Sequence, residues 1–384
     1  MERKNNMIME YKNTRAELFT FGNGTEVSEA HLMIHITDTA LPYKEQLEAI
    51  NEAFAHVRDN ELKGYDAVFK RYYLSDAANQ ADELYATAIE NSNCAMSVIE
   101  QPPLDGTKIA LWAYLMTGMQ PTAGDSGLYG VRHGAFTHLW SGSAHNLAAN
   151  SEYQARLLLN EYIMQLVKEG CTLADNCIRT WFFVNDVDLN YGGVVRARNQ
   201  VFFTQGLTNE THFIASTGIG GRQADQNVLV QMDSYAIAGV RPEQIRHLYA
   251  PTHLNRTSDY GVSFERGTCV DYADRRHVFI SGTASIDNKG NIVHPKDVVQ
   301  QAARMIENVE VLLAEADCTF EDIGQISVYL RDMADYGVVS RLFAERFPTK
   351  PYVIVLAPVC RPGWLIEMEC MAVKQQNNSS LPAF

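Results

Sequence analysis

Two glutamates on one apolar strand are the residues of this sequence best suited to chemistry. In the run LIEMECMAV (365–373), strand alternation places Glu367 and Glu369 on the same face. A carboxyl group among apolar neighbours either finds a cation or a hydrogen-bond donor, or stays protonated because its pKa rises. A general acid near neutral pH requires the protonated state. A structural glutamate tied to backbone N–H groups or to Arg361 would give the same pattern, so both interpretations stay open.

A tight corner precedes this strand and joins it to a second apolar run. Residues 360–363 read Cys-Arg-Pro-Gly, and proline and glycine are typical of turns. The corner therefore places Cys360 and Arg361 next to the strand of the two glutamates. The thiol could steer water or a substrate hydroxyl, or it could serve only as a small buried hydrophobic group.

The composition is that of an ordinary soluble globular protein. With 384 residues, of which 46% are hydrophobic and 20% charged, the chain is long enough for two or three domains. The net charge of −14 argues against a nucleic-acid partner, because no basic patch offsets it. An anionic substrate would then need a local cluster of arginines.

The sequence contains no recognisable targeting signal or metal-binding motif. No apolar run approaches the roughly 18 residues of a membrane span, and the N-terminus lacks the apolar segment of a secretion signal. The seven cysteines contain no CxxC pair, which indicates reduced thiols and no zinc site. The 11 histidines accompany no HExxH motif, so no metal is expected. These observations predict a cytoplasmic protein with no membrane partner.

Self-comparison of the sequence shows the same order of elements three times. The best-defined copy begins at residue 277 and reads strand, helix, strand, helix, strand, strand. The same order recurs from residue 135 and, more weakly, from residue 31, with roughly 100 residues per copy. Two helices per group of strands predict an α+β fold with the helices on one face of a mixed sheet. Three such units should place their sheets together and their helices outside.

The repeats predict the domain organisation. We expect a degenerate first unit at 1–120, a second unit at 133–238 and a third unit, carrying both glutamates, at 273–376. The segment 239–272 is long and dense in Arg, His and Tyr, which indicates a functional linker. We expect this linker, the turn at 214–222 and the corner at 358–367 to converge on one pocket.

The strands FISGTASID (279–287) and IEMECMAV (366–373) resemble those of the YjgF/RidA family. Members of that family have the chorismate-mutase-like α+β fold and usually form homotrimers. The resemblance implies three tandem YjgF/RidA-like units that form a covalent pseudo-trimer, so that the protein is a monomer or a weak homo-oligomer. Residues 1–130 match the family only at the level of the repeat.

A larger set of motifs, spread over residues 135–375, resembles the chorismatases, which have YjgF-like architecture and hydrolyse the enolpyruvyl ether of chorismate. The matching pieces are Arg179-Thr180-Trp181, STGIGG (216–221), Pro242-x-Gln244, Tyr260-Gly261-x-x-Phe264-x-Arg266, SGTAS (281–285), and Cys360-Arg361 followed by Glu367. The resemblance implies a small anionic carboxylate substrate, either chorismate or a related enol ether. It also implies pyruvate as one product and no cofactor.

The resemblance further implies a role for each candidate residue. Hydrolysis of an enol ether begins with protonation of its terminal carbon, and Glu367 would supply that proton. The substrate carboxylates need fixed cations. The residues implied in substrate binding are Arg266 and Arg361, with Arg331 and Arg179 as further candidates, together with Tyr260 and Gly218; Cys360 is implied as a catalytic residue beside the acid.

Two other functions stay open at this point. A RidA-type deaminase of 2-imino or enamine acids needs only a bound carboxylate and an activated water. The arginine that grips the carboxylate in such deaminases would fall at Lys350, and lysine does not form the bidentate contact of arginine. A non-catalytic protein that binds small anions could keep the same fold. The sequence does not identify which hydroxybenzoate or dihydroxycyclohexadiene carboxylate would be released.

Overall fold

Three six-stranded sheets form the framework of the protein. The computed structural model describes residues 3–88 and 93–384. In the first repeat, the element order predicts the second helix at 78–90, and the last two residues of that range lie outside the described residues. Each sheet is built from one of three consecutive parts of the chain, which we call unit 1, unit 2 and unit 3.

The elements of the three units follow one another along the chain. Unit 1 contains strands β1 (Arg3–Tyr11), β2 (Thr14–Gly22), β3 (Glu29–Ile36), β4 (Asp66–Leu74), β5 (Ala95–Glu100) and β6 (Ile109–Met116), and helices α1 (Tyr43–Asn60) and α2 (Ala77–Ala88). Unit 2 contains β7 (Gln120–Pro121), β8 (Tyr129–His133), β9 (Phe136–His145), β10 (Cys177–Val184), β11 (Ala215–Gly220) and β12 (Val230–Ala238), and helices α3 (Ser151–Lys168), α4 (Leu173–Asn176) and α5 (Val187–Thr204). Unit 3 contains β13 (Ile245–Leu248), β14 (Gly267–Asp271), β15 (Arg275–Ala284), β16 (Ile323–Leu330), β17 (Tyr352–Leu356) and β18 (Ile366–Gln375), and helices α6 (Val298–Glu315) and α7 (Tyr336–Arg346).

The strand order is the same in all three sheets. It runs β5-β4-β6-β3-β2-β1 in unit 1, β11-β10-β12-β9-β8-β7 in unit 2 and β17-β16-β18-β15-β14-β13 in unit 3. In each sheet the first two strands of this order are parallel, and the central strand is antiparallel to both of its neighbours. The predicted α+β class with three tandem units is therefore confirmed.

The long helices pack on their sheets because their apolar residues recur at helical spacing. In α6, Ala302, Val309 and Leu313 are buried on the side that contacts β15 and β18. Asp297 caps the N-terminus of α6, because its side chain accepts a hydrogen bond from the N–H of Gln300. Among the helices in the described part of the chain, none is both long enough and apolar enough to cross a membrane.

The sheets begin and end at places that the repeats did not specify. Strands β7 and β8 already belong to the second sheet, although β7 precedes residue 133 and β8 ends at it. Strands β13 and β14 come from the segment 239–272 and complete the third sheet at its edge. The domain limits 1–120, 133–238 and 273–376 stay a prediction.

Charged side chains from all three units meet where the sheets face one another. Nη2 of Arg71 on β4 donates to Asp233 on β12 at 2.8 Å, and Nη2 of Arg179 on β10 donates to Glu369 on β18 at 2.7 Å. We call these four buried residues the central ion cluster. It joins unit 1 to unit 2 and unit 2 to unit 3.

Candidate active site

Three segments that are distant in sequence meet at the junction of units 2 and 3. The N–H of Glu265 donates to the carbonyl of Ile214 at 3.0 Å, and the N–H of Gly220 donates to the carbonyl of Pro358 at 2.9 Å. These bonds join the segment 239–272, the strand β11 and the corner before β18. Together the segments enclose a pocket with about 500 Å³ of empty space, including the part open to solvent.

Six of the eight residues predicted for the site line this pocket. They are Gly218, Tyr260, Arg266, Cys360, Arg361 and Glu367. The wall also includes residues to which the sequence assigned no role. Thr217 and Gly282 lie in the motifs STGIGG and SGTAS, whereas Tyr191, Arg198 and Trp364 lie outside the matching motifs.

The carboxyl group of Glu367 is buried and makes no hydrogen bond with the part of the chain that the structure describes. The side chain is 5% exposed. Its Oε1 lies so close to the backbone of Gly282 that a Cβ on that glycine would be 2.1 Å away. Burial, followed by the charge of Glu369, raises the pKa of Glu367 to about 8, although Arg266 and Arg179 act in the opposite direction. The group is therefore mainly protonated at pH 7.

Glu369, two residues along the same strand, is surrounded by donors. Its carboxylate accepts hydrogen bonds from Nη2 of Arg179 at 2.7 Å, Nε1 of Trp181 at 2.8 Å and Oγ1 of Thr217 at 2.5 Å. An arginine and two further donors thus bind this carboxylate through charge-assisted hydrogen bonds. The two glutamates of β18 therefore have different surroundings: three donors bind the carboxylate of Glu369, and none from the described residues binds the carboxyl group of Glu367.

Three arginines of the pocket form no ion pair with any carboxylate among residues 3–88 and 93–384. Arg198 on α5 is 1% exposed, and its Nε and Nη2 have no hydrogen-bond partner. The guanidinium of Arg266 donates hydrogen bonds to the backbone carbonyl and to Oδ1 of Asn255. Arg361 lies over the rings of Tyr260 and Trp364, at 4.5 and 5.0 Å from their centroids. Burying a guanidinium without an ion-pair partner costs desolvation free energy, and a bound anion would offset that cost.

The structure does not bring Arg179 and Arg331 into the pocket. Arg179 is held in the central ion cluster by Glu369. Arg331 binds the carboxylate of Asp188 through two bonds of 3.0 and 2.7 Å and also donates to the carbonyl of Val359. Both guanidinium groups are already neutralised, so neither is free to clamp a substrate carboxylate.

The remaining polar groups of the pocket are neutral. Burial raises the pKa of the Cys360 thiol to about 12, and the pKa of Tyr260 is also raised by burial. Cys360 is therefore a thiol rather than a thiolate at neutral pH, which excludes a strong nucleophile. Within the described residues, no three His, Cys, Asp or Glu side chains cluster as metal ligands do.

Comparison with known proteins places these features in a family. A family model described as Endoribonuclease L-PSP matches residues 269–374. A RutC family protein of Pyrococcus abyssi (strain GE5 / Orsay) is 31% identical over 100 residues, which are 26% of this chain and 79% of the relative. The chain belongs to the RutC family. A 3-aminoacrylate deaminase RutC of Acinetobacter baylyi (strain ATCC 33305 / BD413 / ADP1) is 29% identical over 97 residues, which are 25% of this chain and 77% of the relative.

A larger likeness is found among solved structures. The crystal structure of a chorismatase matches 80% of this chain and 93% of its own length, with a TM-score of 0.63 and 18% sequence identity. At this identity the likeness shows a common fold. This common fold covers most of the chain, whereas the RutC family protein of Pyrococcus abyssi matches about a quarter of it.

Of the three sheets in the described residues, that of unit 3 carries the buried acid Glu367 on the strand third in the strand order (β6, β12 or β18). Equivalent positions of β6, β12 and β18 follow from how each strand pairs with its neighbour. Glu367 pairs with Tyr329, Gln231 with Phe183, and Ala110 with Tyr73, so Glu367, Gln231 and Ala110 occupy equivalent positions. The Gln231 amide donates instead to the carbonyl of Val98 at 3.2 Å. In the described part of this RutC-family chain, the buried acid of β18 therefore has no counterpart in the other two sheets.

Arg198 is the pocket residue that sequence reasoning should have found. It lies on α5 with Val194 and Val201, which are three to four residues away and buried on the same face. A charged residue on the apolar face of a helix signals a function or a buried partner. The close approach of Gly282 to Glu367 had no such signal, because it depends on the packing of two strands.

Proposed function

We propose that this RutC-family chain is a chorismatase-like enzyme that cleaves the enolpyruvyl ether of chorismate or of a related enol ether. One observation carries the proposal. A buried carboxyl group, whose pKa burial raises to about 8, shares a pocket with three arginines that form no ion pair with a carboxylate of the described residues. The fold shared with a chorismatase of known structure supports the same choice.

The proposed reaction begins at Glu367. Its proton passes to the terminal CH2 carbon of the enol ether, which leaves an oxocarbenium ion and the glutamate carboxylate. Water then adds to the cation and loses a proton, and the resulting hemiketal collapses to pyruvate and the ring alcohol. The low exposure of Glu367 keeps bulk water from competing for its proton.

The arginines supply the binding charge that an acidic protein must concentrate locally. Chorismate carries two carboxylates, and Arg198, Arg266 and Arg361 present three guanidinium groups to one pocket. Guanidinium groups bind carboxylates with paired, charge-assisted hydrogen bonds. The same arginines would stabilise the anionic form of Glu367 after proton transfer.

The similarity to a deaminase sequence favours the deaminase alternative, whereas the position of Lys350 argues against it. The relative from Acinetobacter baylyi is a 3-aminoacrylate deaminase. However, Nζ of Lys350 donates to the carbonyls of Glu321 and Ile323 at 2.8 and 3.1 Å. Lys350 is thus used to cap backbone groups and does not line the pocket of Glu367.

The proposal is tested by incubating the protein with chorismate and measuring pyruvate. Release well above the buffer rate is expected, and a rate equal to buffer would remove the proposal. Ammonia release from an enamine acid generated in the assay would favour the deaminase. Binding of chorismate without turnover would favour a small-anion-binding protein.

Turnover should fall as pH rises through the pKa of Glu367. The reactive form is the protonated acid, so the rate should be level below about pH 8 and fall roughly tenfold per unit above it. The measurement is the initial rate of pyruvate release at saturating chorismate as a function of pH. A rate that increases through pH 8 would show that a base, and not this acid, limits the reaction.

A methyl group on Gly282 should displace the acid. In Gly282→Ala the new Cβ would lie 2.1 Å from Oε1 of Glu367 and 3.0 Å from Cγ2 of Thr217. We expect pyruvate release to slow by about 10²-fold, because a shift of about 1 Å is enough to misalign a catalytic group. The matched control is Gly337→Ala on α7, where a Cβ meets nothing within 4 Å and the rate should not change. A wild-type rate in Gly282→Ala would contradict the position assigned to Glu367.

A further inference from the structure

Glu369 is the point at which charged side chains of all three units meet, two residues along β18 from the pocket residue Glu367. Arg179 of unit 2 binds it directly, and Nη1 of Arg71 of unit 1 lies 3.8 Å from its Oε1. Arg71 is fixed in turn by Asp233 and by the rings of Trp112 and Trp181, whose centroids are 5.3 and 4.9 Å from its Cζ. The charge on Glu369 is therefore held by a rigid, buried set of partners.

A single threonine connects this charge to the acid. Oγ1 of Thr217 donates to Glu369 and accepts the N–H of Gly282 at 2.8 Å. Gly282 is the residue whose backbone lies against the carboxyl of Glu367. The two glutamates of β18 therefore lie in the same packed layer. The hydrogen-bond donors that the structure describes in this layer bind Glu369 and leave Glu367 without one.

We propose that Glu369 is a positioning residue for Glu367: its fixed negative charge, held by arginines of units 1 and 2, keeps the neighbouring carboxyl group in its protonated form. This inference rests on the proposed function, because it names what prepares the proposed acid. It also gives unit 1, which lacks the acid, a part in the chemistry through Arg71.

The charges that face Glu367 show why Glu369 matters. Arg179 on β10 and Arg266 before β14 both favour the ionised form of Glu367. Arg198 and Arg361 line the same pocket as further cations, and Cys360 is a neutral thiol. Against these cations, burial and the charge of Glu369 are what raise the pKa of Glu367.

Unit 2 contains a natural control for this arrangement. Within its sheet, Glu369 pairs with Ser327, and Asp233 pairs with Trp181 at the equivalent position of unit 2. Asp233 is equally buried and ion-paired, but Gln231 stands where the acid would be. Removing either carboxylate disturbs the central ion cluster, whereas only Glu369 lies beside an acid on its own strand.

The experiment titrates Glu367 directly, without substrate. The infrared carbonyl band of a protonated carboxyl group is assigned to Glu367 by its loss in Glu367→Gln and is then followed against pH. In Glu369→Gln we expect the midpoint to fall by about 1–2 pH units. In Glu369→Asp, which keeps the charge, and in Asp233→Asn, we expect a midpoint close to that of the wild type.

Each outcome separates this inference from the proposed function. An unchanged midpoint in folded Glu369→Gln, or an equal shift in Asp233→Asn, overturns the inference even if chorismate is cleaved. A lowered midpoint supports it even if chorismate is not a substrate. Should Glu369→Gln fail to fold, Arg179→Met combined with Glu369→Met removes the buried pair as a whole, which proteins often tolerate. That variant should show a smaller fall, because Glu369 acts on Glu367 more strongly than Arg179 does, and an unchanged midpoint there also overturns the inference.

Discussion

Replacing Glu367 with glutamine should slow pyruvate release from chorismate by about 10²–10⁴-fold, or roughly 3–5 kcal/mol of transition-state stabilisation. Glutamine keeps the shape of the side chain beside Gly282 but has no acidic proton to deliver. Substrate binding should persist, because the three arginines of the pocket remain. The measurement is a single-turnover rate of pyruvate release together with the dissociation constant of chorismate.

A matched variant outside the pocket shows whether the slower pyruvate release is specific to Glu367. Glu345→Gln makes the same chemical change on the exposed side of α7 and should leave the rate unchanged. A fully active Glu367→Gln would remove Glu367 as the acid and leave the substrate class open. A slow variant that also fails to bind would indicate that the glutamate supports the pocket and does not donate the proton.

Replacing Arg198 with methionine should weaken chorismate binding by about 10²–10³-fold, or roughly 3–4 kcal/mol. The reason is that Nε and Nη2 of Arg198 are buried, donate to no partner among residues 3–88 or 93–384, and would pair with a substrate carboxylate. The dissociation constant is best measured by calorimetry in the Glu367→Gln background, where the ligand is not consumed.

Arg331→Met is the control for this prediction. Arg331 is already bound to Asp188 outside the pocket, so its loss should change the dissociation constant by less than about threefold. Equal losses for both variants would show that long-range attraction, rather than a contact in the pocket, governs binding. Wild-type affinity in Arg198→Met would contradict the clamp.

The architecture was predictable because it is repeated. Three copies of one element order left a signal that single strands do not, and the alternation in 365–373 correctly placed both glutamates on one buried face. The edges of the units were harder to predict. Strands β7 and β13 are short edge strands in Gly- or Arg-rich segments, where no run of alternating residues identifies a strand.

The sequence could not separate free arginines from paired ones. Arg179 and Arg331 were predicted for the site together with Arg266 and Arg361, and only the folded chain shows which guanidinium meets a carboxylate. Their partners, Glu369 and Asp188, are 190 and 143 residues away. Contacts of this range are set by how the three sheets pack together, which local pattern does not encode.

Joining the three units in one chain removes a symmetry constraint. Around the threefold axis of a homotrimer every side chain occurs three times, so a glutamate near the axis would bring three like charges together. Here the aligned positions of the central strands hold Trp112, Asp233 and Glu369. The two anions, Asp233 and Glu369, are matched by Arg71, Arg179 and the indole of Trp181, a combination with no symmetric equivalent. Separate copies can therefore carry different residues at equivalent positions, so that one holds the proposed acid and the others hold its supporting charges.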